Sequence, residues 1–153
     1  MAAGDVTIFN TISEQIGEEV HDFENDTFKL ALITNGVTPS AADATPQWGA
    51  GSGVDYDGNE VSSAGNYTAN GETLTSVTFD RSVGVCTFDA ANVSIAQHGS
   101  GFTNAYWGII YNDTATNKDC LCFVDLDGAV SEQAGPVAIN WNASGIFTCT
   151  VNA

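Results

Sequence analysis

The stretch Val137-Ala138-Ile139-Asn140-Trp141-Asn142-Ala143-Ser144-Gly145-Ile146-Phe147-Thr148-Cys149-Thr150-Val151 decides the fold class. Val137–Trp141 and Ile146–Val151 read as two strands on either side of the turn-forming Asn142–Gly145. Together they predict a tight β-hairpin that carries Trp141 and closes the chain. It is the last of about seven strand–turn units.

Working back from that hairpin, the β pattern is regular from Thr73 onward. Leu74–Asp80 and Val83–Asp89 flank Arg81-Ser82 and predict another hairpin. Asn92–Ala96 is a short strand, Ala105–Tyr111 a longer one, and Leu121–Leu126 returns after the polar turn 112–119. Strands separated by such turns at roughly 8–12 residues point to an antiparallel sandwich or small barrel. Phe28–Thr34 is apolar on both faces and belongs centrally in a sheet. The expected fold is therefore all-β, an antiparallel, jelly-roll-like β-sandwich made of one domain over residues 1–153.

Two regions stand outside this pattern. Residues 1–27 form an N-terminal arm in which Ile8, Ile12 and Ile16 fall on one helical face, with Gly17 as the stop. This predicts a single short helix near residues 8–16. Residues 35–71 are rich in glycine, with Trp48, Tyr56 and Tyr67 as their main apolar anchors. A loop of that length inside a compact domain usually serves function or contact. It is expected to be an extended arm, ordered by a partner that those three aromatics grip.

Composition narrows the function. The chain has 153 residues, enough for one core, and 43 % hydrophobic residues place it among folded chains. Three basic residues against 19 acidic ones leave a net charge of −16. Such a surface repels phosphate backbones and anionic membranes, so neither nucleic acid nor membrane is an expected partner. The carboxylates either keep a β-protein soluble or face a basic patch on a partner. No run reaches the roughly 18 apolar residues of a membrane span. Met1–Asp5 lacks the basic and apolar regions of a signal peptide.

Nothing in the sequence forms a catalytic motif, and no cofactor, metal site or catalytic residue is expected. His21 and His98 lie in separate polar segments and read as surface or turn residues. Asp125 and Asp127, two apart on a strand, would share a face. Asp55, Asp57, Asn59 and Glu60 resemble half of a calcium loop, but its glycine falls at the fourth position instead of the sixth. Cys86, Cys120, Cys122 and Cys149 sit in apolar runs and read as small buried hydrophobes, with Cys120 and Cys122 pointing to one face. A cross-strand disulfide among them cannot be assigned from spacing. Trp48, Tyr56, Tyr67, Tyr106 and Trp107 suit either a sugar-stacking platform or core and interface anchors.

Six stretches resemble a widespread family of small virion proteins of tailed bacteriophages. They are Met1–Gly4 leading into the helix, Asp26–Thr34, Gly65–Gly71 with Leu74-Thr75, Ala90–Val93, Ile109–Lys118, and Ile139–Asn142 with Gly145–Phe147. Together they span nearly the whole chain, and none is catalytic. The four cysteines and the Gly-rich insert at 47–65 depart from that pattern. The resemblance implies a capsid decoration, or cement, protein that is made in the bacterial host cytoplasm and sits on the outside of the icosahedral head. Its partners would be the major capsid protein and further copies of itself, with a trimer as the expected oligomer. Trp48, Tyr56, Tyr67, Ile8, Ile12 and Trp107 are the expected contact residues. The alternative is a tail or fibre component, or a carbohydrate-binding adhesin of the virion. An enzyme would need two convergent carboxylates about 5–10 Å apart, which nothing in the sequence demands.

Overall fold

Five strands form a main sheet that includes the apolar run Phe28–Ile33. The computed structural model describes residues 5–150. The lead-in Met1–Gly4 and the end of the last predicted strand at Val151 therefore lie outside the described residues. The main sheet runs β1 (Val6–Ile8), β10 (Cys120–Val130), β9 (Ala105–Asn112), β2 (Phe28–Ile33) and β5 (Glu72–Thr73), all neighbours antiparallel. A three-stranded sheet orders β12 (Phe147–Thr150), β7 (Val85–Asp89) and β6 (Thr78–Ser82), and β11 (Val137–Ile139) pairs with β8 (Val93–Ile95). The fold is all-β and antiparallel, apart from a two-residue parallel pair, β3 (Pro46–Gln47) with β4 (Val54–Asp55). The sheets do not close on one another. Among the described residues there is one α-helix, α1 (Ile12–Gly17).

The main sheet is buried on both faces, which explains why its central strands carry almost no polar residues. One face presents Phe28, Leu30, Leu32, Ile110, Cys122 and Val124 to the smaller sheets, where Phe88, Val93, Ile95, Val137, Ile139 and Phe147 complete one cluster. The other face presents Ala31, Ile33, Ile109, Tyr111 and Phe123, covered by Phe9, Trp48 and Tyr56.

That cover corrects the reading of residues 35–71. The segment is not an extended arm; it folds over the chain's own sheet. Trp48 stacks on Tyr111 with centroids 5.2 Å apart, and Tyr56 stacks on Phe9 at 5.9 Å. The segment also finishes the edge of the sheet. β5 pairs with only Lys29 and Leu30, and past it the Tyr67 hydroxyl accepts the Leu32 amide at 3.0 Å. The Val61 amide donates to the Leu32 carbonyl, and the Thr34 amide to the Asn59 carbonyl. A glycine-rich chain can track a strand edge this closely. At Gly71, where φ is +90°, a Cβ would meet the Leu30 carbonyl at 2.7 Å.

Five further expectations are corrected. Ile8 is not helical: Val6-Thr7-Ile8 pairs with Val124-Phe123-Cys122, as its β-branched residues favour. Helix α1 starts at Ile12, and Ile16 faces solvent. The helix ends in a Schellman arrangement, with Glu19 at φ 58° and the Val20 amide on the Gln15 carbonyl. The β6–β7 turn sits at Val83-Gly84 instead of Arg81-Ser82, because Gly84 accepts φ 81°. The closing hairpin is absent. Asn142 and Gly145 do bridge, but β11 leaves to pair with β8 and β12 to pair with β7. Lastly, a register shift between Cys120 and Cys122 turns their thiols to opposite faces of the sheet.

Candidate functional site

A run of six carboxylates, Glu14 on α1 and Glu18, Glu19, Asp22, Glu24 and Asp26 between α1 and β2, has no lysine or arginine among them. Folding keeps them together on one side. Asp22 accepts the Glu24 and Asn25 amides and the Asn25 side chain, which tightens residues 22–26 into a turn. Those bonds, the Asn25 side chain first, hold the Asp22 carboxyl below its usual range. The turn also receives the Asp22 amide on Asp26 Oδ2 at 2.8 Å.

Behind the turn is a buried polar hub. The Asn112 amide nitrogen donates to Asp26 Oδ2 at 2.6 Å and lies 3.2 Å from His21 Nδ1. That leaves His21 Nε2–H as the donor to Gln15 Oε1 at 3.2 Å. Asn112 Oδ1 accepts the Thr114 and Ala115 amides, so one side chain joins the turn to the β9–β10 loop. His21 is thus a core residue, contrary to its sequence reading as a surface one. Burial lowers its pKa to about 4, outweighing the upward pull of Asp119 and Asp26.

Three hollows surround this segment. One, of about 380 Å3, is walled by Glu19, Asp22, Asp26 and Asp119 with Thr114–Asn117. A second, of about 240 Å3, shares Val20, Asn117 and Asp119 with the first and is also lined by Glu14 and Glu18. The third, of about 420 Å3, differs in character: Ile16, Phe23 and Phe79 form an apolar floor, and Glu19, Asp22 and Glu24 form a rim. Phe23 and Phe79 stack at 4.3 Å, and Ile16 is 38 % exposed. No lysine or arginine lines any of the three hollows. Lys29 and Lys118 both pair with Asp113, at 3.1 and 2.9 Å, and Arg81 is on β6. The result is an acidic face with one apolar groove, a shape that suits a basic surface presenting an apolar side chain.

The six residues expected to touch a partner do not assemble there. Trp48, Tyr56, Tyr67 and Ile12 are buried in the chain's own clusters, and Ile8 and Trp107 are half-buried on β1 and β9. The partner that the aromatics need is the main sheet itself. Asp55 and Asp125, two of the candidate carboxylates, hold turns. Asp55 Oδ1 accepts the Gly49 and Asp57 amides. Asp125 Oδ1 accepts the amide of Asp127, which sits at φ 57° in an irregular stretch of β10 and so breaks the expected shared face. Among the described residues, no three His, Cys, Asp or Glu side chains are grouped to hold a metal ion, and no helix is long and apolar enough to cross a membrane.

Comparison with protein-family models, curated proteins and solved structures finds no match for this chain. The acidic run 14–26 was not singled out in the sequence, where its only signal is a block of like charge. Phe79, which completes the groove from β6, carried no such signal.

Proposed function

We propose that this protein is a capsid decoration, or cement, protein of a tailed bacteriophage. It binds the outside of the icosahedral head and stabilises the shell by bridging neighbouring major capsid subunits. The observation that carries this is the acidic face of residues 14–26 around the Ile16, Phe23 and Phe79 groove. A net charge of −16 disfavours DNA and anionic membranes and favours a basic protein surface. The sequence resemblance to small virion proteins supports the same reading. The sheets, in this proposal, form a jelly-roll-like sandwich, the protein acts as a homotrimer on the capsid surface, and it has no catalytic role. Binding only to the assembled shell then stabilises that shell by linkage. The alternative of a sugar-binding adhesin is weaker, because Trp48, Tyr56 and Tyr67 are turned into the core.

Cosedimentation tests it. The purified chain is mixed with expanded, undecorated shells of the major capsid protein encoded in the same genome. Saturable binding that weakens with salt is expected. A Glu18→Lys, Glu19→Lys, Glu24→Lys variant should lose most of that binding while keeping its fold. A wild-type chain that stays in the supernatant at micromolar concentration overturns the proposal.

A further inference from the structure

Cys86 on β7 and Cys149 on β12 are register partners in an antiparallel pair, so their side chains leave the same face of the sheet side by side. Directly opposed antiparallel residues have Cα atoms about 4.5 or 5.5 Å apart, and both spacings lie within the range that a disulfide spans. Both thiols are partly exposed. They lie on the face of Phe79, Phe88 and Phe147, one step nearer the end of the sheet, and Arg81 on β6 stands directly across from Cys86. The other two cysteines cannot compete. Cys120 and Cys122 are fully buried and belong to opposite faces of the main sheet.

We propose that Cys86 and Cys149 are a redox pair that closes into a cross-strand disulfide when the protein meets an oxidising medium, fastening β12 to the sheet. The oxidant is a low-molecular-weight disulfide such as oxidised glutathione. The Cys86 thiolate attacks one sulfur of that disulfide, which leaves a mixed disulfide on Cys86 and expels one glutathione thiolate. The Cys149 thiolate then attacks the Cys86 sulfur and expels the second. Two cysteine thiols are oxidised, one glutathione disulfide is reduced to two thiols, and the two protons lost by the cysteines pass to the leaving thiolates. Arg81 favours approach of the anionic oxidant at Cys86. Burial, together with the neighbouring Cys86, raises the Cys149 thiol above its ordinary value, so the second step relies on the two sulfurs being held side by side across the β7–β12 pair. β12 is an edge strand of four residues, so a covalent tie at its third residue holds an end that hydrogen bonds alone hold weakly. The bridge is independent of the capsid reading.

The test uses the full chain incubated with oxidised glutathione, then unfolded, alkylated with iodoacetamide and weighed. Two of the four cysteines should be alkylated, and a peptide map should join the Cys86 segment to the Cys149 segment. The thermal midpoint should fall when dithiothreitol is added, and Cys86→Ser should abolish that difference. Four alkylated cysteines, a glutathione adduct that persists on Cys86, a bridge through Cys120 or Cys122, or a covalent dimer would each overturn the proposal.

Discussion

Glu132 is fully buried, yet its partners are two backbone amides instead of a cation. Its Oε1 accepts the Asn66 amide at 2.6 Å and its Oε2 the Phe102 amide at 3.3 Å. One carboxylate therefore ties residues 65–66, 101–102 and 131–132 together, and the Glu132 amide returns a bond to the Phe102 carbonyl. It can sit there because Gly65 and Gly101 leave room; a Cβ on either would run into its oxygens. Hydrogen bonds to a charged group contribute about 1.5–3 kcal/mol each, and an orphaned buried donor costs about 1–3 kcal/mol. Glu132→Gln keeps one acceptor but turns an NH2 toward the other amide, so a loss of about 2 kcal/mol is expected. Glu132→Ala orphans both amides and opens a cavity, for a loss of about 3–5 kcal/mol. Urea unfolding followed by tryptophan fluorescence measures both. A Glu132→Gln variant within about 0.5 kcal/mol of wild type, at unchanged m-value, refutes the clamp.

The Val83-Gly84 turn has positive φ at both positions, and Val83, β-branched and fully exposed, is a poor residue for it. Val83→Asn should therefore raise stability by about 1 kcal/mol, read as a higher thermal midpoint. His21 is neutral in the fold, with a pKa lowered from 6.5 to about 4. Its contribution is complete above pH 6.5 and is lost as pH falls toward 4, by up to roughly 3 kcal/mol at about 1.4 kcal/mol per pKa unit. His21→Gln should flatten that part of a stability-versus-pH profile, and an unchanged slope would count against the hub. Tyr67→Phe leaves the buried Leu32 amide without its hydroxyl partner and should cost about 1–3 kcal/mol by denaturant unfolding. Deleting residues 47–65 should abolish the folded state, because it removes Trp48 and Tyr56 from the Ile33, Ile109 and Tyr111 face. A cooperative unfolding transition in that deletion would restore the reading of an arm ordered by a partner.

The sequence by itself determined the class of the fold and the positions of its strongest strands. Phe28–Ile33 and Ala105–Asn112 fall almost where their apolar runs predict, since a strand covered on both faces needs an unbroken apolar run. The β6–β7 hairpin was legible because its pairing is local. Only the tertiary structure decided which strands pair. Val137–Ile139 and Phe147–Thr150 look like one hairpin, yet each finds a distant partner that lets it bury its apolar side in the common core. It also decided what the aromatics of residues 35–71 do. A glycine-rich segment with three large rings reads as an arm that waits for a partner. Which surface those rings cover depends on the exposed second face of the main sheet, and that face does not exist until β2, β9 and β10 have come together.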